Sequence, residues 1–401
     1  MKKKYLSIFR SFEGLDDSLV NMDFLIKKIS KEFDKIFIIN IDNLRFFSPQ
    51  KKDYKFREKV KNLPDNYVLF NPLNAEEFSK FLEDKILIGI VIIRRELPDL
   101  KIHYLLKKYK IKKINITNYG HSGMSQIAES KNFFKFLSWN FIKFFKKFFV
   151  ILAIFGFIDR DEIRFLSEKK IVQNINENFI KRLLYKYKLV YSKEIILVNS
   201  RSYDLLLDNK DSQSEDYIVH LDADLNYSQE LWLRDKLSDD VVKKHYYYLE
   251  KFLKKLSKIF NKKVVVCIHP AYDIEKHQSY LKDFEVIKFK TPEYIRKSFI
   301  VTNFDSSAVA DAVLCKKKII GLISNFMTKN EIEHTKSQAS RNGYLCFNIE
   351  DDYLIDKNVF LAKLNNSSNN FEKIISNYHC YEPNVLGSDK IIKIIKERFF
   401  D

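Results

Sequence analysis

Short runs of apolar residues, rich in isoleucine and valine, recur along this chain, and polar segments with the periodicity of helices separate them. In the first half these runs lie at 5–9, 35–41, 86–93, 112–117 and 194–200. In the second half they lie at 217–221, 264–268, 284–289, 299–304 and 318–323. Strands that are apolar along their whole length are typical of parallel sheets that helices cover on both faces. The pattern therefore predicts an α/β fold with parallel sheets.

The polar stretch DNKDSQSED, residues 208–216, contains no apolar residue and separates the two sets of runs. Such a stretch is typical of a domain boundary. The 401 residues are enough for two domains that each bury a core. We therefore expect two doubly wound, Rossmann-like domains, an N-terminal one at 1–208 and a C-terminal one at 217–401.

Charge and cysteine content limit the functional class. An apolar fraction of 46% excludes a disordered chain. The net charge of +17 attracts anionic partners such as nucleic acid, a phospholipid surface or phosphorylated small molecules, although lysine can also be simply the default solvated residue. The four cysteines have no paired spacing, and the N-terminus lacks the apolar core of a signal peptide. We therefore expect a folded protein with free thiols in a reducing, cytoplasmic compartment.

Residues 133–158, FFKFLSWNFIKFFKKFFVILAIFGFI, interrupt the alternation with a segment crowded with phenylalanine. Its lysine-free part, 148–158, is shorter than the ~20 residues that a membrane-spanning helix needs. Aromatic side chains beside lysines favour a helix pair that lies in the membrane interface among anionic head groups. The alternative is a buried helix at a contact between domains or subunits. We expect this segment to dock the protein on a membrane surface.

The stretch IVTNFDSSAVADAV, residues 300–313, has Asp305, Ser306 and Ser307 between a buried strand and a helical pattern. The first N–H groups of a helix lack backbone partners, and the helix dipole favours an anion there. Serine hydroxyls add further donors to phosphate oxygens. The alternative is that Asp305 or Ser306 is simply an N-cap, which needs only one such residue. Three in a row favour a phosphate-binding loop.

The stretch VVVCIHPAYD, residues 264–273, ends another strand with His269 and Pro270. Proline stops the strand and restricts the direction in which the chain leaves it. Doubly wound sheets bind their ligands at the carboxyl ends of the strands. An imidazole there can donate a hydrogen bond to a phosphate or carry a compensating charge. We therefore expect His269 to stabilise a phosphate or a departing nucleotide.

Three motifs, IVHLDADL, CIHPAYD and TNFDSSAVADAV, make residues 217–325 resemble the nucleotide-binding domain of bacterial GT-B glycosyltransferases. The resemblance is greatest to the sialyltransferase-like enzymes of lipooligosaccharide and capsule synthesis, including glycosyltransferase family 52. It implies two Rossmann-like domains that face a central cleft, and it makes the last helical pattern, 389–400, a candidate to cross back to the first domain. It also implies that two motifs hold the phosphate and ribose of a CMP-sugar or a related donor. The residues concerned are His269, Pro270, Asp305, Ser306 and Ser307.

The general base that activates the acceptor is expected in the N-terminal domain, where the resemblance is weak. The loop NYGHSGMS, 118–125, offers His121, and histidine suits proton abstraction from a hydroxyl near neutral pH. The enzymes that the chain resembles tend to carry an acidic residue beside glycine in such a loop, so a histidine departs from their pattern. Competing candidates are Glu13, Asp16 and Asp17 in the glycine-bearing stretch SFEGLDDS. His269 is a further catalytic candidate, because it would stabilise the departing phosphate.

The stretch HLDADLNY has Asp222 and Asp224 after a strand, in the D-x-D spacing with which GT-A glycosyltransferases hold a divalent metal ion. In a GT-A chain the nucleotide-binding strands would lie mainly before this pair, whereas here they continue after it. We therefore interpret both residues as cleft or surface residues. We expect no metal ion and no cofactor.

The resulting hypothesis is a metal-independent GT-B glycosyltransferase, peripheral on the cytoplasmic face of the inner membrane. Its donor would be a nucleotide sugar, with a CMP-activated sialic-acid-like sugar as first choice, and its acceptor a cell-surface glycan or glycolipid. Transfer of a UDP-hexose or of a polyol phosphate is the alternative within the same fold. A different class is a non-catalytic basic protein that binds a membrane face or nucleic acid, whereas our hypothesis includes no nucleic-acid partner.

Overall fold

The structure is a computed structural model in which the described residues form two compact units. It describes residues 3–12, 15–45, 58–92, 99–117, 159–167, 169, 192–208, 217–223, 237–269, 272–304, 306–327, 329–351, 357–365 and 371–401. The first unit comprises the described residues within 3–204 together with 377–401, and the second comprises those within 205–376.

The first unit is built on a sheet of seven strands. These strands are β1 (Lys3–Arg10), β2 (Ile36–Asn40), β3 (Tyr67–Phe70), β4 (Lys85–Val91), β5 (Lys112–Thr117), β6 (Asp161–Leu166) and β7 (Ser192–Leu197). The helices described up to residue 208 are α1 (Leu15–Glu32), α2 (Glu58–Lys61), α3 (Ala75–Phe81), α4 (Leu100–Lys108) and α5 (Arg201–Asp208). All neighbouring strands are parallel, in the order β3-β2-β1-β4-β5-β6-β7. The strand order therefore reverses between β1 and β4, which is the topological switch point of this sheet.

The second unit has a sheet of six strands. These are β8 (Tyr217–Asp222), β9 (Lys263–Ile268), β10 (Glu285–Ile287), β11 (Ser298–Asn303), β12 (Lys318–Ile323) and β13 (Leu345–Asn348). Its described helices are α6 (Asp239–Phe260), α7 (Ile274–Tyr280), α8 (Thr291–Arg296), α9 (Val309–Leu314), α10 (Lys329–Asn342), α11 (Lys357–Asn365) and α12 (Phe371–Tyr378). All neighbours are parallel, in the order β10-β9-β8-β11-β12-β13. The switch point of this sheet lies between β8 and β11.

The predicted fold class is confirmed, because both sheets are parallel and helices alternate with their strands. Each of the predicted apolar runs lies on a strand. Three strands, β3, β6 and β13, are not among the predicted ones. Strands β3 and β13 are edge strands of four residues each, too short for a clear pattern. Strand β6 (DEIRFL) has three charged residues among its apolar ones, which hides its strand character.

Helix α6 provides much of the core of the second unit. It begins after Ser238, whose extended backbone forms the N-cap, and ends before Asn261 in the left-handed conformation. One stripe of the helix is buried: Val242, Tyr246, Leu249, Leu253 and Leu256. These residues recur at intervals of three or four, which is the spacing of one face of an α-helix. Each fully buried side chain of this size contributes about 1.5–3 kcal/mol.

The C-terminal segment 377–401 packs within the first unit. Its helix α13 (Gly387–Phe399) lies against α1. The Asp204 carboxylate accepts hydrogen bonds from the N–H groups of Gly387 at 2.6 Å and Ser388 at 2.8 Å, so it caps the start of α13. A Cβ on Gly387 would lie 2.1 Å from the carbonyl oxygen of Asn199, so only glycine fits this approach.

Two segments that the sequence analysis singles out lie outside the described residues: the boundary stretch after residue 208 and the phenylalanine-rich segment 133–158. Among the helices that the structure describes, none is long and apolar enough to cross a membrane. All four cysteines are free, as expected. Burial raises the pKa of Cys267 to about 12 and that of Cys315 to about 11, so both thiols are protonated at neutral pH.

Candidate functional site

Polar side chains collect where the central strands of the second sheet end. Asp222 is the last residue of β8, His269 follows β9, and Asn303 is the last residue of β11. Because β9 and β11 both pair with β8, these residues lie on neighbouring strands at the carboxyl edge of the sheet. The switch point is at the same place, and doubly wound sheets bind their ligands there. This edge of β9, β8 and β11 is the candidate site.

The serine loop after β11 is fixed by its own backbone and by Asn303. The N–H of Ser306 donates to Oδ1 of Asn303 at 2.9 Å, and the Ser306 hydroxyl accepts from the N–H of Ala308 at 3.3 Å. Helix α9 begins at Val309, so Ser306 and Ser307 both lie in the connection between β11 and the helix. Ser306 is half-buried and its hydroxyl closes a local turn, whereas the N-cap of α9 is Ala308, so Ser306 is not the N-cap of the alternative interpretation. Ser307 is exposed, and the phosphate-binding role of both serines stays a prediction.

Asn303 is itself held by α10 and by the start of β13. Its Nδ2 donates to Oε1 of Gln338 at 3.0 Å, and the hydroxyl of Tyr344 donates to the same oxygen at 3.0 Å. All three side chains are buried. An amide oxygen can accept two hydrogen bonds, so this chain of contacts is satisfied and rigid. The position of the serine loop is therefore set by residues that are distant in the sequence.

His269 lies at the end of β9 and is exposed. Its carbonyl oxygen accepts a hydrogen bond from the N–H of Tyr272 at 3.0 Å, and the two rings lie 5.2 Å apart. An exposed imidazole at this edge can donate to an anionic ligand. The structure thus has His269 at the expected end of the strand, and its role stays a prediction.

Asp222 is buried, so its interpretation as a cleft or surface residue is wrong. Its Oδ2 accepts from the hydroxyl of Tyr246 at 2.9 Å and lies 3.5 Å from Nε2 of His277, while Oδ1 lies 3.7 Å from Nε2 of His220. Burial opposes the ionisation of Asp222. The contact with His220 and the charges that His220, His277 and His245 can carry outweigh it and hold the pKa of this carboxyl below its ordinary value.

The strand periodicity contains part of this arrangement. His220 and Asp222 are two residues apart on β8, so both side chains lie on one face of the sheet. That period-2 relationship is a signal which the D-x-D interpretation overlooks. His277 comes from α7, and no sequence pattern connects it with Asp222.

His245 of α6 is also buried and lies near the end of β12. Its Nδ1 is 3.2 Å from the hydroxyl of Ser324, which donates to Oε1 of Glu350 at 2.6 Å. Oε2 of Glu350 accepts from the N–H of Asn325 at 3.1 Å. Burial lowers the pKa of His245 to about 4, against the opposing influence of Asp222, so its imidazole is neutral at pH 7. The Glu350 carboxylate thus holds the loop after β12 by hydrogen bonds to Ser324 and Asn325.

Comparison with known proteins identifies the fold. No family model and no curated protein matches the chain. A proposed UDP-N-acetylglucosamine 2-epimerase from Listeria monocytogenes is similar in structure, with a TM-score of 0.51 at 11% identity, over 100% of this chain and 97% of that one. The wall teichoic acid polymerase TagF, soaked with CDPG, has a TM-score of 0.51 at 12% identity, over 98% and 88% of the two chains. The calicheamicin glycosyltransferase CalG4 has a TM-score of 0.48 at 10% identity, over 100% of both chains.

The chain has the GT-B fold. At these identities the likeness shows the fold alone. An epimerase and a polymerase are among the similar structures, so the GT-B fold accommodates different reactions, and the function must be argued from the site.

Several predicted site residues of this GT-B chain lie outside the described residues. They are Glu13, His121, Pro270 and Asp305, and Asp224 of the D-x-D pair is a further one. Asp16 and Asp17 belong to the first turn of α1. The roles assigned to all of these residues therefore stay predictions.

At the switch point of the first sheet, the described residues after β1 are held by side chains at and just after the end of β2. The N–H of Phe12 donates to Oδ1 of Asn40 and to Oδ2 of Asp42, both at 3.2 Å. Asn40 also donates to Oδ1 of Asn71 at 2.7 Å, which connects the ends of β2 and β3. The backbone of Phe12 is therefore fixed to the end of β2.

The D-x-D spacing of Asp222 and Asp224 is one with which a carboxylate can ligate a divalent metal ion. Within the described part of the chain, no three histidine, cysteine, aspartate or glutamate side chains are arranged to hold a metal ion. The carboxylate of Asp222 instead contacts Tyr246, His277 and His220.

Proposed function

We propose that this chain is a GT-B glycosyltransferase that moves a sugar from a nucleotide donor to a cell-surface glycan or glycolipid. The observation that carries the proposal is the pair of loops that flank the end of β8, one with His269 and the other with Ser306 and Ser307. Neighbouring strands lie about 4.8 Å apart, so the ends of β9 and β11 are separated by about 10 Å. A nucleotide can bridge that span across the switch point.

The chemistry requires donors for the phosphate and a base for the acceptor. The acceptor oxygen forms a bond to the anomeric carbon, and the bond from that carbon to the phosphate oxygen of the nucleotide breaks. His269 and Ser307 would donate to the departing phosphate as its charge develops. Ser306 can contribute too, because a hydroxyl that accepts one hydrogen bond still has its own hydrogen to donate. The acceptor proton goes to the base.

We propose that the N-terminal part of the chain, residues 1–208, supplies this base. His121 is our first candidate, and Glu13, Asp16 and Asp17 compete with it. The three acidic residues follow β1, which lies at the switch point of its sheet. This position favours a catalytic role for them that the sequence pattern alone does not indicate. Each candidate is replaced by alanine, and kcat is measured at saturating donor. The replacement that lowers kcat most identifies the base.

The donor is proposed from the sialyltransferase-like motifs, with a CMP-activated sialic-acid-like sugar as first choice. A UDP-hexose donor is the first alternative, and the structural similarity to the UDP-N-acetylglucosamine 2-epimerase supports it. Transfer of a polyol phosphate is the second, and the structural similarity to the polymerase soaked with CDPG supports it. We propose that transfer requires no metal ion and no cofactor.

We further propose that the protein is cytoplasmic and docks on the inner face of the inner membrane through residues 133–158. Cosedimentation with anionic vesicles tests this. Replacement of Lys143, Lys146 and Lys147 by glutamate is expected to abolish it.

The rival is a non-catalytic basic protein that binds a membrane face or nucleic acid through its lysines. Its binding to nucleic acid would fall steeply with salt and show no preference for one nucleotide. Our proposal instead predicts saturable binding of one nucleotide and includes no nucleic-acid partner.

Calorimetric titration with CMP, UDP and GDP, each with EDTA and with manganese, tests the proposal. We expect binding of one nucleotide in EDTA, lost in His269→Ala and in Ser307→Ala. Ser279→Ala is the matched control, because Ser279 is an exposed serine on α7. Binding of none of the nucleotides would contradict the proposal and favour the rival.

A further inference from the structure

The ring of His277 contacts both Asp222 and the loop after β9. Its Nδ1 lies 2.8 Å from the carbonyl oxygen of Asp273, and its Nε2 lies 3.5 Å from Oδ2 of Asp222. A carbonyl oxygen only accepts, so Nδ1 carries a hydrogen. A neutral ring would then turn the lone pair of Nε2 toward a carboxylate oxygen. The contact is attractive when Nε2 carries a hydrogen too, which makes His277 an imidazolium.

The other groups that face Asp222 can all be neutral. From α6, the hydroxyl of Tyr246 donates to Oδ2, and burial keeps His245 neutral. From β8, His220 has its Nδ1 2.9 Å from the hydroxyl of Thr302, closer than the Val219 carbonyl oxygen at 3.5 Å. A hydroxyl that donates to Nδ1 leaves the hydrogen of a neutral His220 on Nε2, directed at the carboxylate. One buried negative charge and one buried positive charge then balance.

Tyr272 connects His277 with His269. The ring of Tyr272 stacks on that of His277, with centroids 5.3 Å apart and planes inclined by 3°. The N–H of Tyr272 donates to the carbonyl oxygen of His269, and the rings of these two residues are in contact. The carbonyl of Asp273 accepts from both the backbone N–H and the ring of His277. The described ends of the loop 269–273 are therefore both held by His277 or by its stacking partner.

We propose that Asp222 and His277 form a buried ion pair that positions Tyr272 and Asp273, and through Tyr272 the exposed His269, for the phosphate of the nucleotide. The inference rests on the proposed function for its ligand, and on contacts within the second unit for its geometry. Asp222 and His277 are both almost fully buried, so they act through the loop as positioning residues and not on the substrate itself.

The ion pair matters because an exposed histidine is mobile unless the backbone beneath it is held. A donor that is already aimed at the position of the phosphate needs no further ordering when the nucleotide binds. Loss of either partner leaves the other as an unpaired buried charge or as a neutral group with a weaker hold on the loop.

Three variants separate this role from general stability. Asp222→Asn keeps the shape of the side chain and removes its charge, and His277→Gln removes the imidazolium. His220→Gln is the matched control, because His220 contacts the same carboxylate but binds Thr302 of β11 instead of the loop. Thermal unfolding of each variant measures its stability.

The first measurement needs no ligand. Nitrogen NMR of the histidine side chains, with the His277 signal assigned by its loss in His277→Gln, is expected to show both ring nitrogens protonated at pH 7, and only one protonated in Asp222→Asn. Hydrogen exchange of the backbone N–H groups of Tyr272 and His277, which donate to the carbonyl oxygens of His269 and Asp273, is expected to accelerate in Asp222→Asn, that of Tyr272 also in His277→Gln, and neither in His220→Gln. A neutral His277 in the natural protein, or unchanged exchange in both variants, would overturn the proposal.

The second measurement is the affinity for CMP. We expect it to fall on the order of ten-fold in Asp222→Asn and in His277→Gln, without a further fall in the double variant, and to change less than about two-fold in His220→Gln. Equal affinity in all variants would also overturn the positioning role. If the natural protein binds none of CMP, UDP and GDP, the proposed function fails, while the NMR and exchange results still decide whether the ion pair holds the loop.

Discussion

Oδ1 of Asn303 accepts a hydrogen bond from the N–H of Ser306 at 2.9 Å, which ties the serine loop to the last residue of β11. The other end of the same amide donates to Gln338. One buried side chain therefore connects the proposed phosphate-binding loop with α10, and the loop cannot shift without breaking a buried hydrogen bond.

Replacement of Asn303 by alanine is expected to weaken both the fold and nucleotide binding. The N–H of Ser306 loses its acceptor and Gln338 loses a donor, which costs about 1–3 kcal/mol for a buried polar group left unpaired. Urea unfolding and calorimetric titration measure the two effects. Asn348→Ala is the control, because Asn348 contacts Asn325 at the end of β12, away from the serine loop. Unchanged nucleotide affinity in Asn303→Ala would show that the serine loop needs no such anchor.

The buried imidazole of His245 predicts a loss of stability in mild acid. Its pKa is about 4 in the folded protein against an ordinary value of 6.5, so below pH 6.5 the unfolded chain binds a proton that the folded one does not. The contribution is present above pH 6.5 and falls as the pH drops toward 4, by roughly 2 kcal/mol between pH 7 and 5.

Urea midpoints at a series of pH values check this, with His245→Gln as the comparison that removes the titrating group. We expect the variant to lose less stability than the natural protein over this range. The pKa of Asp222 is lowered in the folded protein, so its carboxylate adds a separate loss of stability. That loss begins as the pH falls below the ordinary aspartate value of 3.8 and continues through the lowered pKa. Parallel curves between pH 7 and 5 would contradict the role of His245.

Gly387→Ala is expected to disturb the attachment of the C-terminal helix. The new Cβ would overlap the backbone of Asn199, which can give way only by a shift of the chain. Overpacking of this kind typically costs about 1–3 kcal/mol. Ser388→Ala, one residue further on in the same buried turn, is the control, because the Ser388 hydroxyl has no hydrogen-bond partner among the described residues. Thermal unfolding should show a lower Tm for Gly387→Ala alone, and similar values for both variants would refute the steric argument.

Removal of metal ions tests the predicted mechanism. If donors from His269 and the serine loop stabilise the departing phosphate, sugar transfer should continue in EDTA at an undiminished rate. The assay follows release of the nucleotide with and without EDTA, and then after addition of manganese or magnesium. Activity that disappears in EDTA and returns with the metal would restore the metal-binding interpretation of the D-x-D pair.

The sequence by itself determined the two parallel sheets and the place of the candidate site. Continuous apolar runs such as VVVCI and FIVTNF can be buried on both faces only in parallel sheets with helices on either side. Polar residues directly after such runs, His269 and Ser307 among them, must then lie at the carboxyl edge, because the chain leaves each parallel strand there. These conclusions need only local periodicity.

Only the tertiary structure decided which distant residues meet. Asp222 looks like a surface residue in the sequence, yet its carboxylate is enclosed by side chains from α6, α7 and its own strand. Within the first unit, Asp204 caps the start of α13, and Gly387 lies against the backbone of Asn199, although no local sequence pattern connects these residues. Contacts between residues far apart in the chain arise from packing and buried hydrogen bonds, and local periodicity carries no information about them.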